Sequence, residues 1–241
     1  MTNRILQYKK TATSRRILLP LVVLFAGLFL ASFARAEDDR QIVVVAFGDS
    51  LSNNYRLPAA AGFAPQLQKQ LLSIGLNATV IKAANDGDTS ANGLARTDWM
   101  LEDKPDIVVV EFGANDMLNG SSVPLLHEFL DEIVDKIKQS GAKVLIAGMY
   151  SIANNGPKYQ EEFRNAYIEV SKKHDVLLYP FFLQDVYGDP ELMQLDGKHP
   201  RAKGVRIIAT NIAPCVIQAL NKEPSPEETS PAPNLLCGVG E

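Results

Sequence analysis

A serine hydroxyl attacks an ester only when a base takes its proton and hydrogen-bond donors receive the charge that forms on the carbonyl oxygen. The sequence carries residue types for each task in four short blocks. Gly48-Asp49-Ser50-Leu51-Ser52 offers a serine just past a glycine that permits a tight turn, leaving the Ser50 N–H free. Asn85-Asp86-Gly87-Asp88-Thr89 offers a second backbone N–H at Gly87, and Gly113-Ala114-Asn115-Asp116 a carboxamide donor at Asn115. Asp196-Gly197-Lys198-His199-Pro200 supplies the base: an aspartate three residues ahead of a histidine can bond its Nδ1–H and turn Nε2 outward. The chemistry such a set would support is a two-step acyl transfer through Ser50, with His199 as base, Asp196 as its orienter, and Ser50, Gly87 and Asn115 as the oxyanion hole.

Such a set works only if distant segments converge. Short apolar runs at Ile42 to Phe47, Thr79 to Ala84, Ile107 to Phe112, Val144 to Met149 and Val176 to Phe181 read as strands buried on both faces. Helical periods fall between and after them, at Phe63 to Ile74, Leu94 to Leu101, Leu125 to Ile137, Tyr159 to His174 and Val205 to Leu220. The alternation predicts one three-layer α/β domain around a five-stranded parallel sheet. Ligands of such sheets bind beyond the carboxyl ends of the strands. Three of the blocks directly follow a strand, and the fourth lies in the loop before the last helix.

Taken singly, each block has a plainer explanation: Asp-Ser is a common helix cap, Gly-x-Asn-Asp a common turn, and Asp-x-x-His occurs by chance. Their joint order is what carries the reading. His127 sits on a solvated helix face and His174 ends a helix, where a cation suits the dipole. Asp49 and Asp116 read as loop-fixing acceptors, and Trp99, at helical spacing, as core. The G-x-S-x-G elbow is absent, and no CxxC pair or Cys/His cluster points to a metal.

FGDSLS, GDTS, GAND and DGKH resemble the four blocks of the GDSL, or SGNH, hydrolases, and the chain is similar to their arylesterase, thioesterase I and lysophospholipase L1 group. The likeness runs from about Val43 to Leu220. It implies a flavodoxin-like α/β/α fold, no metal or other cofactor, a small-molecule ester or lipid substrate, and the roles named above for Ser50, Gly87, Asn115, Asp196 and His199. Asn53-Asn54 and Asp86 stand where the group has smaller or hydroxyl residues. Asp86 is read as a cap of the following helix, with repulsion of anionic substrates as the alternative. The segments from 114 to 120 and from 151 to 158 are expected to wall the pocket. A carbohydrate O-acetyl esterase would use the same residues; a non-catalytic periplasmic lipid-binding protein is the reading from another class, and the full catalytic set opposes it.

The ends carry addresses rather than chemistry. Residues 1–36 join a basic region to an uncharged run from Ile17 to Phe33 and an Ala34-Arg35-Ala36 cleavage site, which reads as a signal peptide, with a retained anchor as the alternative. Cleavage removes six basic residues and leaves 18 against 28 acidic, a net charge of −10 that repels nucleic acid. The expected domain is 37–220, periplasmic or secreted, without stable membrane insertion. A tail at 221–241, rich in Pro, Ser and Glu, reads as an extended or disordered end. Cys215 and Cys237 form either a disulfide or two free thiols.

Overall fold

The computed structural model describes residues 40–151, 155–222 and 237. The expected signal segment, and the tail apart from residues 221, 222 and 237, lie outside them. The chain divides into two units, 1–40 and 41–241, and the elements below all belong to the second.

Five parallel strands, β1 (Ile42–Gly48), β2 (Ala78–Ala84), β3 (Ile107–Glu111), β4 (Lys143–Ala147) and β5 (Leu177–Tyr179), pair in the order β2-β1-β3-β4-β5. Their valine and isoleucine runs are buried because helices cover both faces, which is why they do not alternate with polar residues. Val44 to Phe47 and Ile107 to Val110 have no exposed surface, and burial of each valine, isoleucine or phenylalanine among them stabilises the fold by about 1.5–3 kcal/mol.

One covering layer is α1 (Phe63–Ser73) and α7 (Ala202–Leu220), which pack together. The other holds α2 (Ser90–Ala95), α3 (Thr97–Leu101), α5 (Val123–Gln139) and α6 (Pro157–His174). On α5 the buried side chains Leu126, Leu130, Ile133, Val134 and Ile137 keep the helical period that the sequence shows. The segment from Leu94 to Leu101 was expected to be one helix, but it is the end of α2 and all of α3, broken at Arg96 (φ −114°, ψ 9°). Arg96 leaves the helical path because its guanidinium reaches the carboxyl ends of β1 and β2, where it donates to the Gly48 and Ala83 carbonyls at 2.9 and 2.7 Å. Trp99, expected in the core, is 63% exposed on α3. The wall segment from 114 contains a further short helix, α4 (Ala114–Leu118).

The cysteines form a disulfide between α7 and the tail, with Cα atoms 5.7 Å apart. Cys237 is buried, and its N–H donates to the Leu178 carbonyl of β5 at 2.9 Å. This one residue of the expected loose tail is therefore fixed against the strand that ends the sheet order.

The register aligns Gly48 with both Ala84 and Glu111. The first three strands therefore end level, and β1 lies where the strand order reverses, the place where open α/β sheets bind ligands.

Candidate active site

Ser50 follows β1 in a turn set by Asp49. The carboxylate of Asp49 accepts the Leu51 N–H at 2.9 Å, and its carbonyl accepts the Asn53 N–H at 3.0 Å. Gly48 is required by contact: a Cβ there would stand 2.6 Å from both the carbonyl oxygen and Oε2 of Glu111. The Ser50 hydroxyl lies 2.9 Å from Nε2 of His199.

His199 is carried by the loop between Met193 and Pro200, which bridge each other in antiparallel fashion. Its Nδ1 lies 2.9 Å from Oδ2 of Asp196, while Oδ1 accepts the N–H groups of Lys198 and His199 at 3.0 Å each. Partial burial pushes the Asp196 carboxyl up, but those two N–H groups and the ring outweigh it and hold the group down at about 2. An ionised Asp196 keeps the proton on Nδ1 and leaves Nε2 free to accept from the serine. Gln194 ties the base loop to the nucleophile loop by donating to the carbonyls of Tyr55 and Pro200. The Tyr55 ring stacks on the imidazole, centroids 4.0 Å apart at 27°. Nothing in the sequence marks Tyr55, because this packing joins residues far apart in the chain.

Ser50, Gly87 and Asn115 line one cavity with His199 and Asp196. Gly87 has φ +84° with open space around it, so the left-handed backbone, not crowding, calls for glycine. The Ser50 and Gly87 N–H groups meet no protein acceptor among the described residues. Asn115 differs from expectation: its nitrogen donates to Oδ2 of Asp49 at 3.0 Å and to the Asp88 carbonyl at 2.9 Å. Both its N–H bonds are directed at protein, which fixes the carboxamide and means an oxyanion must share one of them.

The loop that carries Gly87 is held from several sides. Arg96 Nε bonds Asp88 at 2.7 Å, Asp116 accepts the N–H and hydroxyl of Ser90, and Asn53 donates to Asp86 at 2.8 Å. The expectation that Asp86 caps the next helix fails. Thr89 is the cap, closing a reciprocal box with Asn92, and Asp86 instead lines the cavity. Asp49 and Asp116 are loop-fixing acceptors, as their positions suggested. His127 lies 3.6 Å from Glu169 on a helix face, and His174 pairs with Asp131.

Two fully buried carboxyl groups, Asp49 and Glu111, meet beneath the nucleophile. Burial pushes Asp49 up to about 7, against the pull of the Leu51 N–H, and pushes Glu111 well above the ordinary carboxylate range. Sequence reasoning missed Glu111, although an acid closing an otherwise apolar strand, IVVVE, was the available signal.

The cavity measures about 850 Å³. Its walls away from the polar corner are mostly apolar, with Met117 and Leu118 of α4, Met149, and a stack of Tyr150 on Phe181 with Tyr187 against its edge, and Gln160 as a polar side chain among them. Of the second expected wall segment, Ser151 lines the cavity and residues 152–154 lie outside the described part. Among the described residues no group of three or more His, Cys, Asp or Glu side chains is placed to hold a metal ion.

The model of the GDSL-like lipase/acylhydrolase family matches residues 46–207. Esterase TesA of Pseudomonas aeruginosa is 39% identical over 168 residues, covering 69% of this chain and 84% of that protein. An arylesterase of Vibrio mimicus is 34% identical over 194 residues, covering 80% and 96%. The thioesterase 1/protease 1/lysophospholipase L1 of Escherichia coli K12 is 36% identical over 186 residues, covering 77% and 86%. A crystal structure of TesA superposes with a TM-score of 0.70 at 38% identity, covering 75% of this chain and 99% of that one. The psychrotrophic esterase EstA of a Pseudoalteromonas species, inhibited by monoethylphosphonate, gives 0.71 at 30% identity with the same coverage.

Proposed function

The chain belongs to the GDSL-like lipase/acylhydrolase family, and from that membership we propose that Ser50 is its nucleophile, His199 the base and Asp196 the orienting carboxylate. It is a serine ester hydrolase with the three-layer α/β fold of its relatives. The observation that carries the residue assignment is the relay Ser50 Oγ, His199 Nε2, His199 Nδ1, Asp196 Oδ2, with 2.9 Å at both hydrogen bonds.

In the first step Ser50 Oγ attacks the ester carbonyl as its proton passes to Nε2. The imidazolium returns that proton to the departing alcohol, leaving an acyl-serine. Water, deprotonated by the same nitrogen, attacks the acyl carbon; the proton goes back to Ser50 and the acid leaves. In both steps the oxyanion rests against the Ser50 and Gly87 N–H groups and shares the Asn115 amide. Asp196 turns and stabilises the imidazolium without taking its proton.

The large apolar wall of Met, Leu, Phe and Tyr side chains favours aryl or acyl esters over acetylated sugars, whose hydroxyl groups would find few partners there. The signal-like 1–36 segment supports a periplasmic or secreted enzyme consisting of one 37–220 domain and a tail. A fluorophosphonate probe should label Ser50 covalently, and Ser50→Ala should lose both the label and the turnover of a chromogenic aryl ester. Retained turnover in that variant would assign the nucleophile elsewhere.

A further inference from the structure

Mechanism leaves two buried acids unused. Asp49 and Glu111 have no exposed surface, and their carboxyl groups are within hydrogen-bond reach of each other at the level ends of β1 and β3. Among the described residues no cation touches either. Arg96, the guanidinium at this rim, is committed to Asp88 and to the Gly48 and Ala83 carbonyls. The other ionisable groups around the pair are Asp88, Asp116 and the Tyr167 hydroxyl, which donates to the Phe112 carbonyl. Two carboxylates in contact in such a place would both need solvation that the site does not supply.

The hydrogen bonds divide unequally between them. Asp49 accepts from the Leu51 N–H at 2.9 Å and from Asn115 Nδ2 at 3.0 Å. Glu111 accepts through Oε2 alone, from the Ser52 hydroxyl at 2.8 Å and the Asp49 N–H at 3.4 Å. Its Oε1 is buried and meets no donor among the described residues. An ionised carboxylate leaves that oxygen unsatisfied, whereas a protonated carboxyl makes the group a donor towards its neighbour.

We propose that Glu111 is the neutral acid of the pair, sharing its proton with Asp49, and that the Asp49 carboxyl held in this way accepts from the Asn115 carboxamide and grips it in the oxyanion hole. Glu111 and Asp49 are then positioning residues for the donor that meets the reacting oxygen. The raised titration of both groups follows from the same burial. The role assigned to Asn115 rests on the functional reading above; the shared proton does not.

Infrared spectroscopy of the Ser50→Ala protein at about pH 8.5, above the value of about 7 to which burial raises Asp49, tests the proton directly, because a protonated carboxyl has a carbonyl stretch well separated from carboxylate bands. The band should be present and should vanish in the Ser50→Ala/Glu111→Gln double variant. Its absence from the first protein, or its survival in the second, overturns the shared proton whether or not Ser50 is the nucleophile. The positioning role is tested in the active protein. Glu111→Gln, which stays neutral and can donate to Asp49, should keep kcat within a few-fold. Asp49→Asn should lower kcat on the order of a hundredfold, the scale of one oxyanion donor, with KM little changed. Combined with Asn115→Ala it should cost no more than Asn115→Ala alone. Additive losses, or a Glu111→Gln protein as impaired as Asp49→Asn, overturn the grip on Asn115. Labelling of a serine other than Ser50, with the band intact, would instead sink only the assignment of the nucleophile.

Discussion

The described residues include two histidine–aspartate pairs of nearly the same length at opposite edges of one sheet. At the carboxyl edge, His199 Nδ1 lies 2.9 Å from Asp196. At the amino edge, beside the starts of β4 and β5, His174 Nε2 lies 2.8 Å from Asp131. In both pairs partial burial raises the carboxyl and hydrogen bonding more than reverses it. What differs is the surroundings. His199 offers its second ring nitrogen to a serine hydroxyl in a cavity of about 850 Å³, whereas Asp131 is shared with Lys173 at 2.6 Å and His174 is packed at the end of α6. A hydrogen-bonded imidazole is therefore not a catalytic signature by itself. The signature is the free nitrogen and what faces it.

The contrast predicts opposite phenotypes for the same substitution. His199→Gln should lower kcat by a factor on the order of 10⁴ to 10⁶, the scale on which serine hydrolases depend on their base, with an unchanged melting temperature. His174→Gln should leave kcat within about twofold and cost about 1–3 kcal/mol of stability, the range for disturbing a buried hydrogen bond. Steady-state kinetics and thermal unfolding on both variants decide it. A large kcat loss in His174→Gln would mean that the two edges are coupled. Removing the edge-fixing disulfide with Cys215→Ser should cost about 2–4 kcal/mol and leave kcat unaltered, since Cys237 meets β5 through Leu178 and lines no part of the cavity.

The same contrast explains which parts of the molecule could be read in advance. The five strands and the four blocks were legible because apolar runs and turn residues are local signals, and a parallel sheet brings the residues after its strands to one rim. Ser50, Gly87, Asn115, Asp196 and His199 all stand at that rim. The break at Arg96 was not legible, since it follows from carbonyls of β1 and β2 that only the folded chain places within reach of its guanidinium. Trp99 kept helical spacing yet faces solvent, because α2 and α3 are too short for periodicity to fix a face. Asp86 misled because an acid before a helix is an ordinary cap, and Thr89 took the position instead. The Asn115 carboxamide was assigned its donor role from type alone; its two protein acceptors come from Asp49 and Asp88, 66 and 27 residues away in sequence.

The smallest expected effect bears on the feature that the pairs share. Asp196 is held at about 2, below the 3.8 of a free carboxyl, and Asp131 is lowered in the same direction. A group whose folded pKa is depressed stabilises the protein above its unfolded pKa, and that contribution fades as pH falls towards the folded value. For Asp196 the window runs from near 4 down to near 2. Because the side chain is 27% exposed, solvent screening limits the contribution to about 1 kcal/mol. Asp196→Asn should therefore lose less stability than the parent between neutral pH and pH ~3, and Asp131→Asn should behave likewise. Urea midpoints at the two pH values measure both. Equal acid sensitivity in parent and Asp196→Asn would mean that the N–H groups of Lys198 and His199 do not favour the ionised carboxylate, and the two pairs would then differ in electrostatics as well as in what faces the ring.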